Sequence, residues 1–333
     1  MQKFSVRERG KVNLLFPEYV QSYIENLIDS GKSKLTLKQY ESDIKKFINW
    51  LEKEKKSTDF ETFAALQTED IRAYFLYLRE QDLSQATIRR LASVLSRLMK
   101  FHQVIAAEEI HKLSEALPMR SLTENDFIKK EEYNRLLESL QTKEIEQTKK
   151  SARNYLLDRN IAIVQLIRTY GLTPQEIHNL TMKNINFAQK ELILEGNEAS
   201  RKFTLEEDII KNIRAYFFSI PSLFRPKYHT LDPLFVAFNN ISYSFQYDYD
   251  VQRPKVLSVR AIQEMIKDEV RKIPLRKISA VTLRNTAILD YIKEEHRDEQ
   301  IMKRFALTSE AALRRYKQFI EAAFSTKETN KGK

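Results

Sequence analysis

Glycine is nearly absent from this chain. Its 333 residues hold five, Gly10, Gly31, Gly171, Gly196 and Gly332, and no two of them form a GxG. A Rossmann fingerprint and a P-loop are therefore excluded, because both need backbone to approach phosphate without a side chain in the way. Long stretches run without a breaker, and their apolar residues mostly recur at helical spacing. The clearest such segment is residues 37–53, where Leu37, Tyr40, Ile44, Phe47, Ile48 and Leu51 share one face. Thr36 with Gln39 three residues on is a capping-box pattern that would open it. Helices are also expected over 17–29, over 68–79 (burying Ile71, Phe75 and Leu78) and over 84–102. Four helices and no strand pattern within the first 110 residues predict an all-α domain.

The pattern changes after a Ser/Thr/Asn cluster around Pro118, which reads as a linker. Beyond it, helices are expected over 131–141 and 154–170. Short strands follow within 184–205, joined by a Gly196-Asn197 turn. Further helices fit 206–218, 258–272, 282–294, 298–305 and 309–323, with one more strand at 234–238. The expected organisation is a helical domain over 1–111, a linker over 112–125, a mainly α domain with a small β-sheet over 126–325, and a Lys-rich disordered tail over 326–333. With no cysteine there is no disulfide, thiolate zinc site or catalytic thiol. No apolar run reaches the ~18–20 residues of a membrane span, and the N-terminus lacks a signal-peptide core. A cytoplasmic protein is expected. His102, His111, His178, His229 and His296 are too scattered for a helix-borne metal pair. No metal and no cofactor are expected.

A formal charge of +10 points to a polyanionic partner. Around helix 87–101, Ile88, Leu91, Val94, Leu95, Leu98 and Met99 fall on one side. Arg89, Arg90, Arg97 and Lys100 fall on the other with Ser93, and the segment has no acidic residue. Such a face offers cations to phosphates and hydroxyls to phosphates or base edges. Lys38, Lys45 and Lys46 share a second polar face with Gln39, Ser42 and Asn49; an ordinary solvated surface explains that one equally well.

These segments are familiar together. SKLTLKQYESDIKKFINWL followed by LQTEDIRAYFLYLREQDLSQATIRRLASVLSRLMKF resembles the core-binding domain of the tyrosine recombinases, the Xer and phage-integrase family. In the second half, TYGLTPQEIHNL is similar to the family's TGLR-x-x-E-I-x-x-L, NINFAQKELILEG to its D-I-D strand, and DPLFVAF to its P-L-F strand. TLRNTAILDYI resembles the H-x-L-R-H-T helix, and LTSEAALRRYKQF the segment ending in the nucleophilic tyrosine. The likeness spans about residues 17–325. It implies a two-domain C-shaped clamp around double-stranded DNA. The implied chemistry is metal-free phosphoryl transfer: a tyrosine attacks the scissile phosphate, arginines and histidines hold its oxygens, and a lysine protonates the leaving oxygen.

The catalytic set departs from that pattern. Thr173 stands at the first arginine's place, Val281 at the histidine's, Asn285 after the retained Arg284, and Leu307, preceded by Ala306, where histidine or tryptophan is usual. Tyr316 is kept. In the lysine hairpin Arg201 fits the basic strand position and Lys202 is displaced. The missing groups together imply a deficit on the order of 6–8 kcal/mol in transition-state stabilisation. Tyr316 also lies on the stripe Leu313, Tyr316, Ile320, Phe324 and fits a packed aromatic, while Arg284 fits either a phosphate clamp or a structural ion pair.

The resulting expectation is a sequence-specific DNA-binding protein that has lost strand cleavage, a repressor by function, similar to the recombinase-derived repressors of SPβ-like phages. Phosphates would be held by Lys38, Lys45, Arg89, Arg90, Arg97, Lys100, Arg201 and Arg284, with Lys202 in the same set. Bases would be read from helix 87–101 and, through Arg260 and Gln263, from helix 258–272. An active recombinase using Lys202 and His296 is the alternative, and a protein-interaction module with merely solvated cations is a third. The aromatic segment 242–253 is expected to be a surface hairpin or a partner contact.

Overall fold

The computed structural model describes residues 16–32, 34–116, 120–143, 152–196, 200–307 and 309–331. The chain divides into two compact units, Met1–Arg120 and Ser121–Lys333. Among its described residues the first contains only helices: α1 Glu18–Asp29, α2 Lys34–Lys55, α3 Phe60–Ala64, α4 Thr68–Glu80, α5 Gln85–Phe101 and α6 Ala107–Ala116. Two of these are additional to the four expected. α3 is a five-residue turn held by Asp59, which accepts from the Thr62 amide at 2.7 Å. α6 packs against α5 and runs into the stretch expected to be linker. α2 begins two residues before Thr36, so Thr36 is inside the helix and not its cap; Gln39 instead donates to Asp43 one turn on, at 3.1 Å. Ser84 does cap α5, accepting from the Thr87 amide.

The apolar stripes read from sequence converge in this unit. Ile88, Leu91, Val94, Leu95, Leu98 and Met99 of α5 are buried with Ile44, Phe47 and Leu51 of α2. An aromatic cluster fills the centre: Phe47 meets Tyr74 edge-on at 5.2 Å, and Tyr19 stacks on Phe63 at 4.5 Å.

The second unit is built around α8 Leu157–Tyr170, which packs against α7 Lys130–Gln141 and three later helices. α8 is buried on all sides, as a central helix must be. It starts at Leu157 and not at 154, because residues 152–155 form a separate 3₁₀ turn. After α9 Pro174–Asn179 come three antiparallel strands, β1 Ile185–Asn186, β2 Glu191–Leu194 and β3 Arg201–Thr204, in the order β1-β2-β3. Leu192 pairs with Phe203 and Leu194 with Arg201 on the covered face, while Ile193 and Lys202 pair on the other. The proposed turn at Gly196-Asn197 includes Asn197, outside the described residues.

α10 Glu207–Ser219 leads to two small hairpins, β4 Phe238–Asn239 with β5 Ser244–Phe245 and β6 Tyr247–Asp248 with β7 Arg253–Pro254. The strand expected at 234–238 is mostly irregular. Only its last residue lies in β4, and Val236 makes an isolated bridge to Val256, because the segment bonds alternately to Leu180, Leu257 and Lys255. Four helices close the unit: α11 Val259–Arg271, α12 Ala280–Lys293, α13 Asp298–Phe305 and α14 Glu310–Lys331. α14 continues through residues expected to be a disordered tail; no glycine or proline precedes Gly332 to stop it. Among the described residues no helix is long and apolar enough to cross a membrane.

One glycine is fixed by geometry. Gly171 ends α8 at φ +65°, and a Cβ there would lie 2.5 Å from the Phe305 ring. Gly171→Ala is expected to destabilise the second unit by about 2–4 kcal/mol, combining left-handed strain with overlap. Thermal unfolding measures this, and Gly171→Ala/Phe305→Leu should recover part of the loss.

Candidate functional site

The left-handed turn at Gly171 delivers Thr173 to the start of α9, where it is the N-cap. Its hydroxyl accepts from the Glu176 amide at 3.1 Å and donates to Glu176 Oε2 at 2.9 Å; its own amide donates to the same oxygen at 2.6 Å. Thr173-Pro174-Gln175-Glu176 is thus a complete capping box with proline at the first helical position. Thr173, expected from the resemblance to stand in the first arginine's place, is a helix cap.

Glu176 gathers the cations around it. Arg201 donates Nη2 to Glu176 Oε1 and Nη1 to the Arg304 carbonyl at 2.9 Å. Arg284 of α12 donates one amino group to the Gly171 carbonyl and the other to the Phe305 carbonyl, with Glu176 Oε2 3.8 Å away. Burial pushes the Glu176 carboxyl up, but the Thr173 amide and the Arg201 guanidinium more than offset it, holding it below the usual carboxylate range. Strand alternation explains why Arg201 joins this cluster and Lys202 does not: Lys202 points to the other face and pairs with Glu191 at 2.6 Å.

Tyr316 is buried on α14. It donates to Asn285 Oδ1 at 2.8 Å, and Asn285 donates to the Asp126 carbonyl at 3.1 Å. Burial pushes the phenol up, only partly opposed by Arg284 and Arg315. Val281 is exposed on the first turn of α12, and Leu307 packs into the cluster around Leu313 and Tyr316. His296 stacks on Tyr291 with centroids 3.7 Å apart and bonds Glu294. Among the described residues no cluster of three metal-ligating side chains occurs.

The N-terminal cations divide by their neighbours. Arg90 pairs with Asp43, whose side chain is 1% exposed, and Arg97 donates to the Tyr40 hydroxyl. Both bonds run from α5 to α2, so part of the expected phosphate set also fastens the two helices together. Arg97 remains exposed beyond that bond. Lys100, Lys38 and Lys45 are exposed and Arg89 is half-buried; among the described residues these four have no ion pair. Ser93 and Ser42 are exposed on the same helices. In the second unit Arg260 and Gln263 are exposed on α11. The aromatic stretch 242–253 is the pair of small hairpins, with Tyr243 and Tyr249 at the surface.

Sequence reasoning passed over Glu176, although Thr173 with a glutamate three residues on was a readable signal. It also passed over Asp43, for which burial was not legible.

Comparison with known proteins gives these findings. The phage integrase N-terminal SAM-like domain family matches residues 20–108. Tyrosine recombinase XerD of Vibrio vulnificus (strain YJ016) is 25% identical over 189 residues, 55% of this chain and 56% of the relative. Tyrosine recombinase XerS of Streptococcus mutans is 28% identical over 212 residues, 52% of this chain and 58% of the relative. The chain therefore spans little more than half the length of these curated relatives. The Tn1549 transposon integrase, solved in complex with transposon right end DNA, aligns with a TM-score of 0.63 at 12% identity, over 92% of this chain and 98% of that one. A lambda integrase dimer bound to a COC′ core site aligns at 0.53 and 13%, over 90% and 93%. These structural likenesses concern the fold.

The Glu176 cluster sets a pH dependence. With its folded pKa below the ordinary 4.5, its stabilisation is present above that value and is lost as pH falls through the lower folded one. Glu176→Gln should lower stability at pH 7 and flatten the decline below about pH 4.5, measured by denaturant unfolding across pH.

Proposed function

We propose that this chain, which belongs to the tyrosine recombinase family, binds double-stranded DNA in a sequence-specific manner without cutting it. The observation that carries this reading is that the cationic centre is turned onto acceptors within the protein. Arg201 and Arg284 donate to Glu176 and backbone carbonyls, a threonine cap stands where a guanidinium is expected, and the Tyr316 hydroxyl donates a hydrogen bond to Asn285. A phosphate at this position would compete with those acceptors for the two guanidinium groups, and strand transfer depends on such donors. The exposed cations of α2 and α5 are in the opposite condition: Lys38, Lys45, Arg89 and Lys100 are available to phosphates, with Ser42 and Ser93 beside them. Arg260 and Gln263 supply base-reading groups from α11.

The finer reading is a transcriptional repressor that keeps a prophage silent in the cytoplasm of its bacterial host by occupying operator sites, similar to the recombinase-derived repressors of SPβ-like phages. Binding without cleavage is what that role requires. Retention of Arg284 and Tyr316 favours the second reading, an active recombinase with a rearranged catalytic set.

Incubation with genomic fragments of the protein's own replicon, followed by native and denaturing electrophoresis, separates the readings. Discrete fragments should be retained, with no covalent band under denaturing conditions. A covalent adduct abolished by Tyr316→Phe would establish the recombinase instead, and binding insensitive to salt would indicate a protein-interaction module. Lys100→Ala or Arg97→Ala should weaken binding across sequences and reduce the slope of log K against log[salt] by about 0.9. Arg90→Ala is expected to act mainly on stability, by about 1–3 kcal/mol, because it strands the buried Asp43.

A further inference from the structure

A cleft of about 530 Å³ opens between the start of α8, the segment at Phe238–Asn240 and one side of α11. Its apolar wall includes Leu156, Phe238, Leu257, Ala261 and Met265, and Arg159 lies among the lining residues. Arg159 is 6% exposed. Its Nε and Nη2 both donate to the single oxygen of Asn160, at 3.2 and 3.1 Å, and its Nη1 reaches the Val236 carbonyl at 3.5 Å. These bonds engage three of the five guanidinium N–H donors and offer only neutral oxygens.

This treatment of a buried arginine differs from that of Arg153, Arg201 and Arg284 in the same unit. Arg153 takes both oxygens of Glu269, Arg201 takes Glu176, and Arg284 has Glu176 3.8 Å away. Among the described residues Arg159 has no carboxylate within ion-pair reach. A buried cation without a counter-charge costs several kcal/mol, and a bound anion removes that cost. The Tyr216 phenol supplies no counter-charge: burial pushes it up to about 12, with Arg159 opposing.

The remaining lining charges narrow the ligand class. Asp268 pairs with Arg271, Glu264 with Lys267, and Glu269 with Arg153. Arg153, Arg271 and Lys272 balance the three carboxylates that line the cleft, so among the described residues Arg159 is its one uncompensated charge and a single negative charge suffices; the apolar wall favours a hydrocarbon body. The volume lies in the range of small-molecule sites.

We propose that this cleft binds a small organic monoanion, a carboxylate with an apolar body, whose charged end pairs with Arg159. The inference is independent of the DNA-binding reading. It is tested on the full chain by titration calorimetry with 4-phenylbutanoate and its uncharged amide. The carboxylate should bind saturably and at least tenfold more tightly than the amide. Arg159→Met should abolish that preference. Met265→Trp, which fills the cleft from its wall and leaves Arg159 in the sequence, should weaken carboxylate binding at least tenfold and keeps the test decisive if Arg159→Met does not fold. Equal binding of acid and amide, unchanged binding in Met265→Trp, or no carboxylate binding at millimolar concentration would overturn the proposal.

Discussion

The second unit is organised around the position of one carboxylate. Glu176 accepts from the amide and hydroxyl of the cap that begins its own helix, from Arg201 on β3, and lies close to Arg284 on α12. The same two arginines reach the carbonyls of Arg304 and Phe305 at the end of α13, and Arg284 also holds the carbonyl of Gly171. α9, the small sheet, α12 and α13 are thus joined through a single half-buried carboxylate. Desolvation alone would push that carboxyl up, and its donors more than offset the effect. The donors are likewise held by it, so the site behaves as one unit.

The same rule decides what cations do in the first unit. α5 presents a face of arginine and lysine with no acidic residue on its own sequence, and the sequence treats its members alike. Packing separates them. Asp43, buried on α2, captures Arg90, and the Tyr40 hydroxyl accepts from Arg97. Arg89 and Lys100 have no such neighbour. Whether a basic residue holds the protein together or faces an outside polyanion depends on a buried acceptor within reach. Arg159 extends this contrast, since it is enclosed in protein yet, among the described residues, has no carboxylate within ion-pair reach.

Helix period, strand alternation and glycine poverty made most of the fold readable. The α5 stripe is buried as its spacing requires, and β2 and β3 alternate as their sequences do. The misses have local causes. Thr36 offered a cap at a place the helix had already passed, and α3 is too short to show a period. Residues 234–238 look like a strand but bond to three separate segments. The tail was read as disordered from its lysines, although lysine and glutamate favour helix where no breaker intervenes.

By itself the sequence determined the two helical stripes, the cationic face of α5, the order of the recombinase-like motifs and the identities of Thr173, Val281 and Leu307, where the resemblance leads one to expect other side chains. Each follows from residue type and spacing along one element. Tertiary structure alone decided that Thr173 caps a helix, that Arg284 and Arg201 are turned inward, that Tyr316 donates to Asn285, and that Arg159 lines a cleft without a counter-charge. These facts depend on which buried groups meet across elements far apart in the chain. Burial then sets their energetics, because a charge or a phenol removed from water takes its properties from its few remaining neighbours.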